Sequence, residues 1–261
     1  MVRVPRYILL LALLCLGFRA TPNHVQTETK LWLWAWERRE DLRFLERATG
    51  TDVGVAFLAR TVSLGPRGLT VVPRRQPLLL PEGMAPKAVV RLTLPEGYLA
   101  GREPLTTSEM TELVGAIVAP LGEAPTAGLQ LDFDARASEE TFRKELLRAI
   151  HAELRVRYLE VPFGTTALAA RCMHDAQNSD PAEGEVVPML FSLGPDAVNV
   201  RLGLQAWGDF PAARCRDAIG IMVGDAVPDF ARGRTVYAFS RGPWTAASFE
   251  TVRRATSPSP P

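Results

Sequence analysis

Histidine and cysteine are scarce in this chain, three of each among 261 residues, and that scarcity excludes a good deal of chemistry. His24, His151 and His174 are scattered and there is no C-x-x-C pair, so the sequence predicts no metal site. A G-x-S-x-G elbow, a Walker A loop, an H-E-x-x-H pair and a G-x-G-x-x-G turn after the first strand-like run are all missing. Their absence removes the commonest serine-hydrolase, nucleotide and zinc-peptidase signatures and predicts no cofactor. Basic runs interleaved with aromatics are missing too, which argues against nucleic acid as a partner.

No apolar run approaches the roughly twenty residues that a membrane-spanning helix needs. The most apolar stretch, YILLLALLCLGF, follows the short positive segment MVRVPR and gives way to the polar FRATPNHV. This is signal-peptide grammar: it predicts a leader over residues 1–20 and an exported mature chain, periplasmic or extracellular, with no membrane span. Leu14 before Cys15 is larger than a lipid-attachment site accepts, which argues against lipid anchoring. Without Arg3, Arg6 and Arg19 the chain carries 27 basic and 29 acidic residues. Cys172 and Cys215 remain after the leader, and they fit either one disulfide or two separate small buried hydrophobes, because spacing alone does not give distance.

What the sequence does contain is ordinary globular material, 47% hydrophobic and 23% charged, arranged as short β-like runs that alternate with helical segments. LWLWAW (31–36) alternates aliphatic with tryptophan, and the following ERREDLRFLERATG predicts a helix with Leu42, Leu45 and Ala48 on one face and a stop at Gly50. Strands are predicted at 53–64, 69–73 and 88–94. Thr106 with Glu109 three places on has capping-box spacing, opening a helix that buries Met110, Leu113, Val114 and Ile117 and ends at Pro120 and Gly122. GLQLDFDA (128–135) reads as the next strand. SEETFRKELLRAIHAEL then predicts a helix with Ser138 as its N-cap and Phe142, Leu146, Ile150 and Leu154 as its buried stripe. Further strands are expected at YLEVPF with its continuation TTALAA, at VVPMLFSL, AIGIMV and TVYAFS, and a last helix at AASFETVRRA.

About eight strands in a mature chain of roughly 240 residues fit an α/β protein with a (β/α)8 TIM-type barrel, irregular in its second half; an open doubly wound sheet is the alternative. The expected domain covers 21–250, with 251–261 as a disordered Pro/Ser tail.

Within GLQLDFDA, strand alternation puts Gln130, Asp132 and Asp134 on one face and Leu129, Leu131 and Phe133 on the other. With the apolar face toward helices, the polar face lines the barrel and Asp134 reaches the C-terminal rim, where barrels of this kind hold their active sites. Two close carboxylates raise each other's cost of ionising, a property suited to a general acid; hydrogen bonding to an Arg or to helix amides is the structural alternative. Trp36 is a candidate sugar-stacking platform and Glu37 a second carboxylate, although tryptophans at period two also suit a core and Glu37 also suits a helix start. Asp225 in VGDAVP and Trp244 in RGPW are further rim candidates by position, with a turn-forming role open to Asp225.

The order LWLWAWERREDLRFL, GLQLDFD, GTTALAARC and VVPMLFSLG resembles an exported bacterial family known as domain of unknown function 3142. The resemblance implies a TIM barrel related to glycoside hydrolases, over most of residues 31–245. GLQLDFD is also similar to the G-x-D-x-D-x-E segment of chitinase-like glycoside hydrolases: Gly128 matches the glycine, Asp132 the second aspartate, and Asp134 stands where that family has its proton-donating glutamate. Gln130 replaces the first aspartate. Asp is one methylene shorter than Glu, and a displacement of about 1 Å costs on the order of a hundredfold in rate. Phe191 and Ser192 stand where the family has the Tyr and Asp that assist an acetamido group. These departures argue against chitinase-type chemistry and leave a carbohydrate as the expected partner, with Asp134 as general acid and Asp132 tuning it. The other expectation is a non-catalytic glycan-binding or envelope scaffold protein.

Overall fold

The computed structural model describes residues 31–48, 52–159, 161–174, 182, 184–193 and 196–257; the predicted leader and the stop at Gly50 lie outside them. Eight parallel strands close into a barrel, in the circular order β1 (Leu31–Ala35), β11 (Thr235–Phe239), β10 (Ala218–Met222), β9 (Glu185–Met189), β8 (Phe163–Leu168), β7 (Gly128–Asp132), β6 (Lys87–Thr93) and β3 (Val53–Gly65). Closure comes from β3 pairing back onto β1. This is a TIM-type architecture with fewer than eight helices among the described residues.

LTVVP does not join the barrel. It forms β4 (Gly68–Pro73), an antiparallel hairpin partner of the outer half of β3. A register shift between Leu58 and Arg60 allows this. One extra residue flips the alternation, as a bulge must, so Arg60 and Val62 face outward where Ala56 and Leu58 had faced in. Arg60 then reaches Glu123 at 2.5 Å and the carbonyl of Ala116 at 3.4 Å.

The capping box at Thr106 and Glu109 is formed and opens α1 (Thr107–Val118). Pro120 does not stop the chain but starts a further turn, α2 (Pro120–Glu123). After β7 a 3-10 turn over Ala137–Glu139 leads into α3 (Glu140–Arg157). Glu139 accepts from the Arg136 amide to close that turn, and α3 begins with no side-chain cap hydrogen bond from Ser138 or Glu139. The outward Leu129, Leu131 and Phe133 pack with Leu113, Ile117, Phe142, Leu146 and Ile150 in one core, so the apolar face of GLQLDFDA does meet the helices.

Elsewhere the chain departs from the expected pattern. Over its described residues, ERREDLRFLERATG is not an α-helix: Glu40–Asp41 (β2) pairs with Leu78–Leu79 (β5), and of those residues only Arg43–Arg47 coil, as a 3-10 turn. Glu40 is fully buried, holding Arg38 at 2.6 Å and the Trp244 amide at 2.8 Å, and this anchor keeps the segment extended. Among the described residues of YLEVPF only Phe163 is in a strand, as the first residue of β8, and TTALAA leaves the sheet at Leu168 to begin α4 (Ala169–His174). VVPMLFSL stays in the sheet only to Met189, and α5 (Ala197–Trp207) was not anticipated. The last helix, α6 (Ala246–Thr256), carries helical structure past the boundary expected at 250.

Inside the barrel, Trp32 and Trp34 pack with Ala56, Leu58, Val89, Val187, Ala218, Tyr237 and Phe239. Tryptophans that large fit only because facing positions are small. A Cβ on Gly54 would lie 2.6 Å from the Trp32 ring, and one on Gly220 3.1 Å from the Phe239 ring. The alternation of large and small side chains that fills a narrow barrel is therefore written into inward positions of several strands. Toward the N-terminal end of the lumen, the Lys87 ammonium donates to Glu185 at 3.1 Å and to the Tyr237 hydroxyl, sits 4.3 Å from the Trp32 ring centroid, and the Tyr237 hydroxyl in turn donates to Glu185. Burial, with the Glu185 charge, holds the Tyr237 phenol well above its ordinary pKa.

A disulfide joins Cys172 of α4 to Cys215, with sulfurs 2.12 Å apart, in a core with Val186, Val200 and Phe210. Such a bond is compatible with an extracellular location. No helix among the described residues is long and apolar enough to cross a membrane.

Candidate functional site

The inward residues at the C-terminal end of β7 meet those of its two neighbours. Arg91 of β6 is in register with Asp132, and Thr166 of β8, one position beyond the Leu131 and Thr165 pair, faces the same way. Thr166 donates its hydroxyl to Asp132 Oδ1 at 2.7 Å, and the Arg91 Nε stands 4.0 Å from Asp132 Oδ2. Asp132 is only 6% exposed. Its surroundings penalise the charged form first by burial and then through Asp134, and Thr166 and Arg91 offset only part of this, so the carboxyl is pushed up to about 6. Asp134 lies two residues past the end of the strand, after Phe133, and is exposed. Partial desolvation also raises its carboxyl, opposed by Arg91.

A cleft of about 170 Å³ opens here, between the ends of β6 and β7, and Arg91, Thr93, Asp132, Asp134, Arg136 and Glu139 line it. Arg136 is held to Glu139 at 3.0 Å. Arg91, with a side chain 44% exposed, lies over Trp36, its guanidinium carbon 5.9 Å from the ring centroid. Trp36 is half-buried, leaning on Trp34 and Phe239 with centroids 5.6 and 6.2 Å away. Asp132, Asp134 and Trp36 thus gather around Arg91.

The remaining candidates have other occupations. Gln130, one inward position below Asp132, is fully buried, and neither end of its amide finds a hydrogen-bond partner among the described residues. Glu37 is exposed on the loop after β1, where its Oε1 accepts from the amides of Arg75 at 2.9 Å and Gln76 at 3.1 Å. Asp225 closes the turn after β10 by accepting from the Met222 amide at 3.1 Å. Both lie three strands from β7 around the barrel. Trp244 is 3% exposed in the core outside the barrel, with its indole N–H given to the Trp34 carbonyl at 2.9 Å. It has no open face for a sugar, and the expectation of Trp244 as a binding platform is corrected on that ground.

Arg91 and Thr166 were missed by sequence reasoning. Arg91 is the one charged residue in the apolar run AVVRLTL, a signal that was available; Thr166 carries no signal until β8 is placed beside β7. A larger cleft, about 1090 Å³, lies at the other end of the barrel where β1, β3 and β11 begin, lined by Phe44, Val53, Val236 and Phe249. It is remote from the paired carboxylates. The described residues contain no cluster of three or more metal-ligating side chains.

No protein-family model matches the sequence, and no curated protein is significantly similar to it. The eight-stranded parallel barrel is what stands of the expected resemblance, and no family is identified for the chain.

Proposed function

We propose that this is a carbohydrate-active protein, with a glycoside hydrolase-like acid–base site at the C-terminal mouth of the barrel. The observation that carries this reading is the pair Asp132 and Asp134: a buried carboxyl held toward its protonated form beside a more exposed one. Environments that separate two carboxylates in this way assign the proton-donating role to the more buried group. The proton expected on Asp134 from the sequence therefore belongs on Asp132, with Asp134 carrying the negative charge next to it. Thr166 orients Asp132 through one oxygen and leaves Oδ2 toward the cleft side occupied by Arg91. Trp36 stands behind Arg91 rather than on the cleft wall.

A second reading, a glycan-binding or envelope scaffold protein without catalysis, is favoured by one observation. Glu37 and Asp225, the candidates for a carboxylate across the mouth, are both committed to backbone amides, whereas hydrolysis requires a base or nucleophile opposite the acid. Screening the purified chain against a polysaccharide panel beside Asp132→Asn and Asp134→Asn separates the two. Release of reducing ends that falls at least a hundredfold in Asp132→Asn supports the enzyme. Binding without turnover in all three proteins supports the scaffold, and no interaction with any glycan removes both.

A further inference from the structure

We propose that the glycan taken by this cleft is acidic, a uronate-containing saccharide, and that Arg91 determines this specificity by pairing with the sugar carboxylate. The proposal rests on the reading of the barrel mouth as a glycan site and adds the class of ligand.

Arg91 projects inward from β6 at the level of Asp132, with its guanidinium at the cleft and one face toward Trp36. It donates no hydrogen bond among the described residues. Its nearest carboxylate oxygen is 4.0 Å away, beyond hydrogen-bond range. Other partly buried arginines of this chain are used differently. Arg38 is bonded to Glu40 and to the carbonyl of Ser240, Arg60 to Glu123, and Arg74 to the carbonyls of Trp36 and Arg38. Of the two arginines lining the cleft, Arg136 already has its carboxylate in Glu139. Arg91 is the one whose planar fork of donors faces the cleft with no carboxylate bonded to it.

A ligand that covers this mouth strips water from Arg91. Sugar hydroxyls would satisfy some of its donors but would not replace the hydration its charge loses, because no carboxylate is bonded to the fork. A carboxylate does both, in the two-pronged geometry for which a guanidinium is better suited than an ammonium. The anion is not repelled by the site as a whole. With a proton on Asp132, the cleft sets Arg91 and Arg136 against Asp134 and Glu139, and the lining is neutral.

The test uses two disaccharides that differ at one carbon, cellobiose and its glucuronosyl-glucose counterpart, with a 6-O-sulfated analogue as a third probe. Affinities are measured by calorimetry at pH 5.5 and fixed ionic strength, on the purified chain and on Arg91→Gln and Arg91→Lys. The uronate disaccharide is expected to bind at least about tenfold more tightly than cellobiose, in keeping with a charge-assisted pair. In Arg91→Gln this preference should collapse to within about twofold, whatever the change in cellobiose affinity. Arg91→Lys keeps a positive charge beside Asp132, so it reads the loss of the fork even should the glutamine variant not fold; the preference should shrink several-fold. Equal affinities in the unaltered chain, or a preference that survives Arg91→Gln, overturn the assignment and leave the glycan site standing. A stronger preference for the sulfated probe overturns the carboxylate. Failure of all three sugars to bind removes the glycan reading itself, and this inference with it.

Discussion

Asp132 gives the sharpest quantitative expectation. Its carboxyl is raised from an ordinary 3.8 to about 6, so between those pH values the folded chain holds a proton that the unfolded chain has released. Where the native state binds more protons, stability falls as pH rises. The penalty is absent below about pH 4, grows through roughly pH 4 to 6, and stays constant above; at about 1.4 kcal/mol per tenfold change it amounts to about 3 kcal/mol at neutral pH. Asp132→Asn removes the ionisation and keeps an oxygen to accept from Thr166. For a domain of this size about 3 kcal/mol corresponds to roughly 6–12 °C in Tm. The variant should therefore melt higher than the unaltered chain at pH 7 by about that amount, with the gain disappearing near pH 4. Comparing the two proteins across pH cancels carboxyls such as Glu109 and Glu140, whose lowered pKa values act in the opposite sense. Differential scanning calorimetry measures the melting points, and carboxyl-carbon NMR reads the Asp132 titration directly. A melting difference that does not change with pH, or an Asp132 titrating near 4, would refute the burial argument and the proton-donor role built on it.

Gly54→Ala drives a methyl into the Trp32 ring, against which a Cβ would lie at 2.6 Å; a loss of about 1–3 kcal/mol in denaturant titration is expected, and an unchanged midpoint would show that the lumen has slack. Lys87→Met leaves Glu185 and Tyr237 without their ammonium and should cost about 3 kcal/mol, more than a surface lysine exchange of within about 0.5 kcal/mol. Reducing Cys172–Cys215, or replacing both by alanine, opens a link across 43 residues and should lower stability by about 2–4 kcal/mol by differential scanning. Glu37→Gln preserves an oxygen for the Arg75 and Gln76 amides, so glycan affinity and any turnover should stay within about twofold; loss of turnover would return Glu37 to the catalytic set.

Much of the barrel was legible in local patterns. LWLWAW and GLQLDFDA alternate, and alternation is a property of the extended backbone itself, so it predicts which side chains share a face without knowledge of what lies opposite. The Thr106 and Glu109 cap was readable for the same reason, since both partners lie within one turn. Segments whose conformation is imposed from a distance were not readable. ERREDLRFLERATG carries helical periodicity, but Glu40 is captured by Trp244 some two hundred residues later in the chain and Glu40–Asp41 by β5, and tertiary pairing outweighs a weak helical preference.

The division runs through the candidate site as well. By itself the sequence determined that Gln130 and Asp132 share one face of a strand, because side-chain direction follows from the pleat, and Asp134 comes two residues past the strand's end. Only the tertiary structure decided what those residues experience. Closure of the barrel buries Asp132 and fully encloses Gln130, the neighbouring strands deliver Thr166 and Arg91, backbone amides claim Glu37, and the outer core takes Trp244. A carboxyl's proton affinity depends on solvent exclusion and on charges a few ångströms away, and those are fixed by strands far apart in the chain.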